Sequence, residues 1–477
     1  MSSAPALVWF REDFRLADNA ALSAAAREGT PLLCVFVFDK HHKPGSAACW
    51  WLDGALRALD ASLKKHGGTL HVLDGDPCVL IPALAQEMAA SAVHWNRRYD
   101  PAGRKIDTTI KSALKDRGIP AHSFPGALLH EPWSVRTKAD TPFQVFTPFW
   151  RAARDLPEPR PPLPAPDTLS FASFPSKMAD ACVEIDALNL RPTNPDWAEG
   201  FRETWDVGEE AAHSMLTDFM DNALEGYAKK RDYPASEVTS RLSPYLRFGH
   251  VTPAQLWHAA QTVPASEEDR SRFLSELGWR EFAWSILFER SDLSTRNIRT
   301  EFDALPWRND PKGLSAWQKG RTGYPLVDAG MRELWHTGWM HNRVRMVVAS
   351  FLVKHLLIDW RLGEQWFTDT LVDHDPASNP MNWQWNAGTG VDAAPFFRIM
   401  SPILQSEKFD PEGDYIRRWV PELSRVPSKI IHTPWAADSK ALAACGVVLG
   451  RDYPEPVVDH KMARDRALST WKNLRDA

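Results

Sequence analysis

Residues 371–401 concentrate side chains that could hold and act on a polar aromatic ligand. Two acids, Asp373 and Asp375, precede Asn379, and the indoles of Trp383 and Trp385 follow. Indole N–H and amide groups need hydrogen-bond partners when buried, which makes this composition poor core material. Residues 335–385 also hold six of the chain's 22 Trp, more than twice an even share. The stretch favours a flat conjugated ligand; the alternative is a capped helix end, a loop and ordinary Trp packing.

A second group of polar residues lies on a helix predicted over residues 340–351. Asn342, Arg345 and Met346 share one stripe of that helix, and Arg343 flanks it. Two arginines and an amide in an otherwise apolar helix need partners, because a buried unpaired charge is very costly. The two aspartates of the first stretch, at the end of the next predicted helix, are the candidates. They could form a structural ion pair or line a ligand pocket.

A third group, Glu276, Trp279 and Arg280, lies on a predicted helix over residues 267–289. Glu276 and Trp279 are three residues apart and share a face, which could form part of a pocket. The alternative is an ordinary ion pair between Glu276 and Arg280, four residues apart on a solvated face.

A turn at residues 239–243 places hydroxyl groups around Arg241 just before a helix. Hydroxyls and backbone N–H groups at such a turn suit a pyrophosphate, whose charge the arginine would neutralise. The alternative is a helix-capping cluster without a ligand.

Composition limits the classes of protein to which the chain can belong. Its 477 residues suggest two to three domains. The net charge of −5 does not indicate a nucleic-acid binder, but a local basic face would permit one. Five scattered cysteines without a C-x-x-C pair argue against disulfides, zinc and iron–sulfur clusters and fit a reducing cytosol. No signal peptide or membrane span is recognisable, so we expect a cytoplasmic protein without a metal.

The first part of the chain alternates short apolar runs with helical patterns. The strands are predicted at 7–10, 32–38, 69–73 and 93–95, and the helices between them at 19–27, 49–66, 78–90 and 104–117. This alternation predicts an α/β domain with a parallel, Rossmann-like sheet. No G-x-G-x-x-G follows the first strand, so the dinucleotide fingerprint is missing.

A proline-rich stretch marks a change of architecture. Residues 156–175 contain seven prolines, which excludes regular structure and predicts a semi-rigid connector. From residue 205 onward only helical patterns occur, predicted at 208–228, 252–262, 267–289, 326–337, 340–355, 363–373 and 461–475. We therefore expect an α/β domain at 1–135, a linker at 136–204 and an all-α domain at 205–477.

Several stretches together resemble the photolyase/cryptochrome family, and they occur in the family's order from about residue 7 to about 465. They are WFREDFRL (9–16), TSRLSPYLRFG (239–249), ELGWREFAW (276–284), KGRTGYPLVDAGMREL (319–334), TGWMHNRVRMVVASFLVKHLLIDW (337–360) and the first stretch described above. The similarity is greatest to bacterial cyclobutane pyrimidine dimer photolyases. It implies an antenna-type α/β domain and a helical domain that holds FAD.

The resemblance also implies roles for individual residues. The residues implied to bind FAD are Tyr227, Thr239, Ser240, Arg241, Leu242, Ser243, Arg280, Trp339, Asn342, Arg345, Asp373, Asp375 and Asn379. Arg345 and Asp373 correspond to an ion pair against the isoalloxazine, and Asn379 to the residue facing flavin N5. The residues implied to contact the dimer or DNA are Arg231, Glu276, Trp279, Asn342, Arg343, Met346, Trp385 and Arg398. An electron relay is implied through Trp383, Trp360 and Trp307.

The implied activity is repair of pyrimidine dimers in UV-damaged DNA by a monomeric enzyme. Excited, reduced FAD would donate an electron to a flipped-out dimer, with Glu276, Asn342 and Asn379 as catalytic residues. A cryptochrome photoreceptor and a (6-4) photolyase are the alternatives. Glu276, Trp279, Asn379 and Trp385 favour repair. The paired active-site histidines of the (6-4) group are not evident, and Asn342 and Met346 stand in this pocket. Ala102 and Gly103 replace an Asn-Glu pair of folate-binding members, so the second chromophore is a deazaflavin, a folate bound differently, or absent.

Overall fold

In the computed structural model, which describes residues 4–476, the N-terminal region contains one five-stranded, all-parallel sheet. The strand order is β3-β2-β1-β4-β5, and register pairs run from Ala6↔Leu32 through Asn96↔Phe124. The strands are β1 Ala6–Phe10, β2 Leu32–Phe38, β3 Leu70–Asp74, β4 Val93–Asn96 and β5 Ala121–Phe124. β1 and β2 are fully buried, as expected for strands covered on both faces. The predicted parallel α/β fold is confirmed.

The first eleven helices follow or flank this sheet. They are α1 Ala20–Arg27, α2 Ser46–Lys65, α3 Pro77–Glu87, α4 Pro101–Asp116, α5 Phe146–Arg154, α6 Glu199–Thr204, α7 Glu209–Asn222, α8 Tyr227–Lys230, α9 Ser243–Arg247, α10 Pro253–Thr262 and α11 Glu267–Glu289. Asn19, Asp76 and Asp100 cap α1, α3 and α4 through their side chains, which explains why these helices begin directly after polar loop residues.

The remaining helices form the C-terminal region. They are α12 Pro311–Gln318, α13 Pro325–Thr337, α14 Asn342–Ser350, α15 Trp360–Thr370, α16 Ser378–Ala387, α17 Pro402–Phe409, α18 Asp414–Trp419, α19 Ser428–Ile431, α20 Ser439–Ala444 and α21 His460–Asp476. α14 continues into a π-helical turn, Phe351–His355, called the π-turn below. After β5 the described chain contains no further strand, only isolated bridges: Phe171 with Leu32, Cys182 with Leu73, and Leu449 with Tyr453. The expected all-α region is confirmed.

The chain divides into two compact units. Unit 1 comprises residues up to 225, 240–291 and 372–375, and unit 2 comprises residues 226–239, 292–371 and those from 376 onward. The core of unit 1 lies around the sheet, and the largest buried cluster of unit 2 lies between α13, α14, α15 and α18. The domain limits expected at residues 135 and 204 stay a prediction.

Several local differences separate the structure from the predicted elements. The helix predicted over 208–228 is broken by Gly226, whose φ of +84° starts α8. The helix predicted over 363–373 ends at Thr370, so Asp373 lies in the turn beyond it. Neither α16 nor β5 was predicted. No helix within residues 4–476 is both long and apolar enough to cross a membrane.

Candidate functional site

A buried turn of unit 1 holds the two aspartates that follow α15. Asp375 accepts a hydrogen bond from Trp284 Nε1 at 3.1 Å, and the backbone oxygen of His374 accepts one from Arg247 Nε at 2.6 Å. Burial and the Arg247 guanidinium lower the pKa of His374 to about 4. Asp373 and Asp375 are only 7% and 8% exposed. The turn is therefore anchored from α9 and α11 and can present carboxylates to a ligand.

The α11 residues singled out in the sequence stand on a partly exposed face. The Trp279 ring stacks on Phe146 of α5 with centroids 3.8 Å apart and planes 11° apart. One face of the indole is thus covered, while Trp279 and Glu276 keep partial exposure. Arg280 Nη1 donates to the carbonyl oxygen of Ala127 at 2.7 Å. A planar apolar surface therefore lies beside a carboxyl group on one helix.

The turn predicted for a pyrophosphate has an unusual backbone. Arg241 adopts a left-handed conformation with φ of +50°, and its guanidinium lies 4.6 Å from the ring centroid of Trp205. Leu242 is buried, and Ser243 begins α9 with an exposed position. Ser240 lies in the same irregular segment of unit 1, whereas Thr239 belongs to unit 2. The hydroxyl-bearing turn is present, and its arginine is held by an aromatic ring.

The start of α14 in unit 2 carries the second polar group. Arg343 forms an ion pair with Asp232 at 2.7 Å, and its guanidinium lies 4.5 Å from the ring centroid of Phe409. Arg345 Nε donates to the carbonyl oxygen of Met340 at 2.7 Å. Asn342 is exposed, so this helix start can meet a ligand.

Other predicted residues of unit 2 flank this helix start or lie elsewhere on the unit. The Arg345 guanidinium lies 5.9 Å from the buried Trp339 ring, and Arg231 lies 5.3 Å from the buried Tyr227 ring. Met346 and Trp385 are partly exposed, and Arg398 is exposed.

Asn379 is held in the first turn of α16 by α15. Its Nδ2 donates to the backbone oxygen of Glu364 at 3.1 Å, to Glu364 Oε1 at 3.0 Å and to Thr368 Oγ1 at 3.2 Å. Asn379 is 8% exposed and Glu364 7% exposed. The amide has a fixed orientation, and the carboxyl that fixes it was not recognised from the sequence.

The three tryptophans of the implied relay all belong to unit 2. Trp383 of α16 is buried where α15 carries Gly363, and a Cβ at that glycine would lie 2.2 Å from the Trp383 ring. Trp360 at the start of α15 is fully buried and donates from Nε1 to Asn297 Oδ1 at 2.9 Å. Trp307 packs partly buried against the same core cluster. Burial thus decreases from Trp383 and Trp360 to Trp307.

Two of the cavities formed by described residues of unit 1 lie at the carboxyl ends of the sheet strands. This edge includes the point between β1 and β4 where the strand order reverses, where α/β sheets commonly bind ligands. The first cavity is lined by the aromatic side chains of Trp9, Phe14, Phe36 and Phe38. Its lining also includes Arg11, Glu12, Asp39, His42, Arg98 and Arg247, and each of the three arginines pairs with a carboxylate. The second cavity shares Glu12, Arg98 and Arg247 with the first and reaches Arg280 and Asp375. A lining of aromatic rings and arginines suits a planar ring that carries polar substituents.

Gly103, one of the two residues that depart from folate-binding relatives, lies in a crowded position. A Cβ at this residue would lie 2.5 Å from Cβ of Arg98 and 2.8 Å from Asp100 Oδ1. Asp100 Oδ2 accepts from Gly103 N at 2.8 Å and caps α4. A longer side chain at 103 would therefore displace the cap.

Four contact residues were missed in the sequence because they are far from their partners along the chain. Phe146 covers Trp279, Glu364 fixes Asn379, and Asp232 and Phe409 hold Arg343. The only local signal was at Asp232, which follows Arg231 directly. Within residues 4–476 no cluster of His, Cys, Asp and Glu could hold a metal ion.

Comparison with known families matches both parts of the chain. Residues 6–167 match the family model described as DNA photolyase, and residues 273–473 match the one described as the FAD binding domain of DNA photolyase. A "Deoxyribodipyrimidine photo-lyase" of Agrobacterium fabrum is 50% identical over 478 residues, which covers 100% of this chain and 99% of the relative. "Cryptochrome-1" of Arabidopsis thaliana is 38% identical, covering 99% of this chain and 71% of the relative.

Solved structures of photolyases are also similar to this chain. A bacterial class III photolyase from Agrobacterium tumefaciens superposes with a TM-score of 0.97 at 49% identity, covering 100% of this chain and 99% of that one. An archaeal photolyase from Sulfolobus tokodaii, described with two FAD molecules, superposes with a TM-score of 0.82 at 30% identity, covering 98% and 100%.

Proposed function

The chain belongs to the DNA photolyase family and catalyses light-driven, FAD-dependent repair of cyclobutane pyrimidine dimers in DNA, and we propose how its residues divide this work. Similarity along the whole length to a relative of that activity carries the functional conclusion. Bound FAD in its reduced form supplies the light-excited electron that opens the cyclobutane ring. The protein's own residues hold the cofactor, hold the dimer and supply electrons.

We assign the flavin-holding role to one set of residues in each unit. In unit 1 these are Ser240, Arg241, Leu242, Ser243, Arg280, Asp373 and Asp375. In unit 2 they are Tyr227, Thr239, Trp339, Asn342, Arg345 and Asn379. Hydroxyl groups and a held arginine at the 240–243 turn fit a pyrophosphate. The fixed amide of Asn379 and the anchored carboxylate of Asp375 fit the polar edges of a ring system and a sugar.

We assign dimer and DNA binding to Arg231, Glu276, Trp279, Asn342, Arg343, Met346, Trp385 and Arg398. Photolyases are among the enzymes that extrude the target base from the duplex. The half-covered Trp279 offers a stacking surface for an extruded base. Glu276 on the same helix can donate to or accept from a thymine edge and stabilise charge that develops on it.

Repair of a defined thymine dimer by the purified protein tests the function directly. An oligonucleotide carrying one dimer is incubated under blue light, and restored thymines are counted by chromatography, with a dark sample as control. Light-dependent restoration supports repair. A yellow protein that binds the oligonucleotide but restores nothing would instead support the signalling role of cryptochromes.

We propose that the first cavity of unit 1 holds a second, light-harvesting chromophore with a flat tricyclic ring, such as a deazaflavin or a flavin. The aromatic side chains and the three arginines that line this cavity, Arg11, Arg98 and Arg247, support this assignment. The two FAD molecules of the archaeal relative show that a second flavin is compatible with this fold. The crowding at Gly103 argues against a folate held through residues 102–103. Chromatography of the released chromophores tests this: recovery of FAD alone, after expression with deazaflavin supplied, would contradict it.

We further propose that the protein is a cytoplasmic monomer. Five free cysteines, two of them buried, fit a reducing compartment. Light scattering after size exclusion tests the oligomeric state, with a mass near the 53.8 kDa of one chain expected.

A further inference from the structure

The segment that carries Arg398 forms neither helix nor strand, and its backbone is held by α14 and the π-turn. Met400 N donates to Ser350 Oγ, the last residue of α14, at 3.3 Å. Lys354 Nζ of the π-turn donates to the carbonyl oxygen of Arg398 at 2.9 Å. Residues 395–400, called the Arg398 loop below, are therefore tied to unit 2 at two backbone atoms.

The side chains of this loop divide into an inner anchor and an outer surface. Phe396 is 1% exposed and belongs to a buried apolar cluster of unit 2. The Lys354 ammonium lies 5.7 Å from the centroid of the Phe396 ring. Phe397 and Arg398, the next two residues, are exposed. One buried lysine thus contacts both the ring that anchors the loop and the backbone of its exposed cation.

The ammonium group of Lys354 is buried without a counter-ion. Lys354 is 2% exposed, and among residues 4–476 no carboxylate forms an ion pair with it. Burial, and then the Arg398 guanidinium, lower the pKa of Lys354 to about 7. Lysine is almost never buried this completely unless it is paired, and an unpaired buried cation destabilises the fold. An apolar side chain would avoid this loss of stability, which points to a functional reason for the lysine.

The π-turn commits Lys354 to the Arg398 loop. Leu356 N donates to the carbonyl oxygen of Phe351, five residues earlier, at 3.0 Å. Such turns are rare inside helices and occur frequently at functional sites. The next residue, His355, instead contacts α21. Lys354 is too deeply buried to touch DNA itself, so any effect on DNA must pass through the loop.

We propose that Lys354 is a positioning residue for DNA binding: it fixes the carbonyl oxygen of Arg398 and so holds the Arg398 guanidinium in place for a DNA phosphate. The inference rests on the proposed assignment of Arg398 to DNA contact. A loop that is already ordered loses less conformational entropy when DNA binds, so its contacts contribute more to affinity. The buried lysine thus lowers the stability of the fold and raises the affinity for DNA.

The experiment measures the dissociation constant of the full-length, FAD-loaded protein for a fluorescent oligonucleotide with one thymine dimer, in the dark to prevent repair. Lys354→Met removes the cation and the donor but keeps an unbranched side chain. We expect its dissociation constant to rise about three- to tenfold, the usual effect of having to order roughly one mobile side chain on binding. Its melting temperature should stay the same or rise, because an unpaired buried charge is removed.

Two further variants show whether the donor or the overall charge matters. Lys354→Arg keeps a cationic donor and should recover most of the affinity that Lys354→Met loses. Lys440→Met makes the same change of charge at an exposed position of the same unit and should leave the affinity unchanged. An equal loss of affinity in Lys440→Met and Lys354→Met would indicate net charge and would overturn the proposal.

Arg398→Ala separates failure of this inference from failure of the site assignment. If Lys354 acts through Arg398, Lys354→Met should cause no further loss of affinity in an Arg398→Ala background. Normal affinity in Lys354→Met, with weaker binding in Arg398→Ala, would refute the positioning role and leave the assignment of Arg398 intact. Normal affinity in Arg398→Ala would overturn both. An unfolded or less stable Lys354→Met would show that the lysine serves the fold, and equal losses in both backgrounds would show another route; either result overturns the proposal.

Discussion

At the scale of single residues, the proposed dimer site separates binding from chemistry. Trp279 presents an indole face whose other side is closed by Phe146, so its contribution is stacking surface. Trp279→Ala should weaken binding of dimer DNA by about 1–3 kcal/mol, the usual worth of one base–aromatic stack. Titration with a dimer-containing oligonucleotide measures this. Trp257→Ala, a tryptophan elsewhere in unit 1, is the control. Unchanged affinity in Trp279→Ala would remove the residue from the binding face.

Glu276 lies one helical turn before Trp279 and should act on repair yield rather than affinity. Glu276→Ala should keep FAD and bind dimer DNA nearly normally, while repair per absorbed photon falls. Loss of a hydrogen bond to a charged group costs roughly 1.5–3 kcal/mol of its stabilisation. Single-flash repair yields measure this. A variant that repairs normally but loses FAD would place Glu276 in the cofactor site instead.

The ion pair between Asp232 and Arg343 should restrain DNA binding. Arg343 is a proposed phosphate contact, and any phosphate must compete with a carboxylate 2.7 Å away. A partly exposed pair is worth about 0.2–1 kcal/mol, so Asp232→Asn should raise affinity for undamaged DNA up to about fivefold. Glu455→Gln makes the same charge change at an exposed position of the same unit. An equal gain in both variants would indicate net charge, not the release of Arg343.

At the scale of elements, α16 and α15 carry Trp383 and Trp360 of the proposed electron relay, and Trp307 lies in the segment before α12. Trp383→Phe should abolish photoreduction of oxidised FAD but leave repair by chemically reduced enzyme largely intact, because phenylalanine is much harder to oxidise than tryptophan. Absorbance changes under blue light with an external reductant measure this, with Trp419→Phe as control. Normal photoreduction in Trp383→Phe would indicate another route. The stacked rings of Trp335 and Trp366, with centroids 6.1 Å apart, would be the first to test.

The π-turn and α21 meet at a pair of histidines that should make this contact sensitive to acid. His355 Nε2 and His460 Nδ1 are 2.9 Å apart, and Lys354 and Arg466 also face His355. Burial has the largest effect on the pKa of His355. Together with the neighbouring His460, Lys354 and Arg466, it lowers this pKa to about 3. The unfolded chain therefore takes up the proton first, and stability is lost as pH falls below about 6.5 toward that value.

His355→Gln removes this proton uptake and should reduce the acid sensitivity. Between pH 8 and pH 5 the wild type should lose roughly 2 kcal/mol of unfolding free energy relative to this variant. Urea unfolding at both pH values measures the difference, and His66→Gln, which alters an exposed histidine, is the control. Parallel pH curves for the wild type and His355→Gln would show that the pair does not titrate on unfolding.

The helices and strands that could be predicted were those whose apolar residues recur with a clear spacing. Strands β1 to β4 and helix α11 follow from alternating apolar runs and helical spacing, and α11 occupies the predicted residues 267–289. α16 was not predicted because turn-forming residues such as Pro380 and Gly388 interrupt the helical period. The proline lies in the first turn, where its missing N–H costs nothing, and the glycine ends the helix with φ of +82°. β5 was missed because its four residues are short and half exposed.

Residue types in the sequence were enough to choose the residues of the candidate site, but not to predict which residues they contact. Indoles, amides and acids outside a periodic core identified Asn379, Trp383 and Asp375. Their partners depend on tertiary packing: Phe146 lies 133 residues before Trp279, and no local pattern brings the two together. Glu364 was taken for an ordinary helix residue, because a single glutamate in a helical pattern gives no sign that its side chain is buried.

At the scale of the whole molecule, DNA binding must overcome a net charge of −5. We expect phosphate contacts to be confined to a few cations, among them Arg231, Arg343, Arg398 and Lys408. Affinity for dimer DNA should therefore fall with salt, because each neutralised phosphate releases counterions. With three to four contacts, the slope of log affinity against log salt should be about −3 to −4. A slope near zero would contradict phosphate binding by these residues.

The hydrogen-bonding environments of the relay indoles determine where an oxidised tryptophan can lose its proton. Trp383 Nε1 is buried and has no acceptor among residues 4–476, and Trp360 Nε1 meets only the amide oxygen of Asn297, a very weak base. A positive hole on either ring keeps its proton and stays free to move. Trp307 is partly exposed, so its oxidised ring can release a proton to water and trap the hole as a neutral radical. In the proposed relay, the Trp383 N–H without an acceptor would thus help the positive charge to leave the flavin, and proton loss at Trp307 would hinder its return.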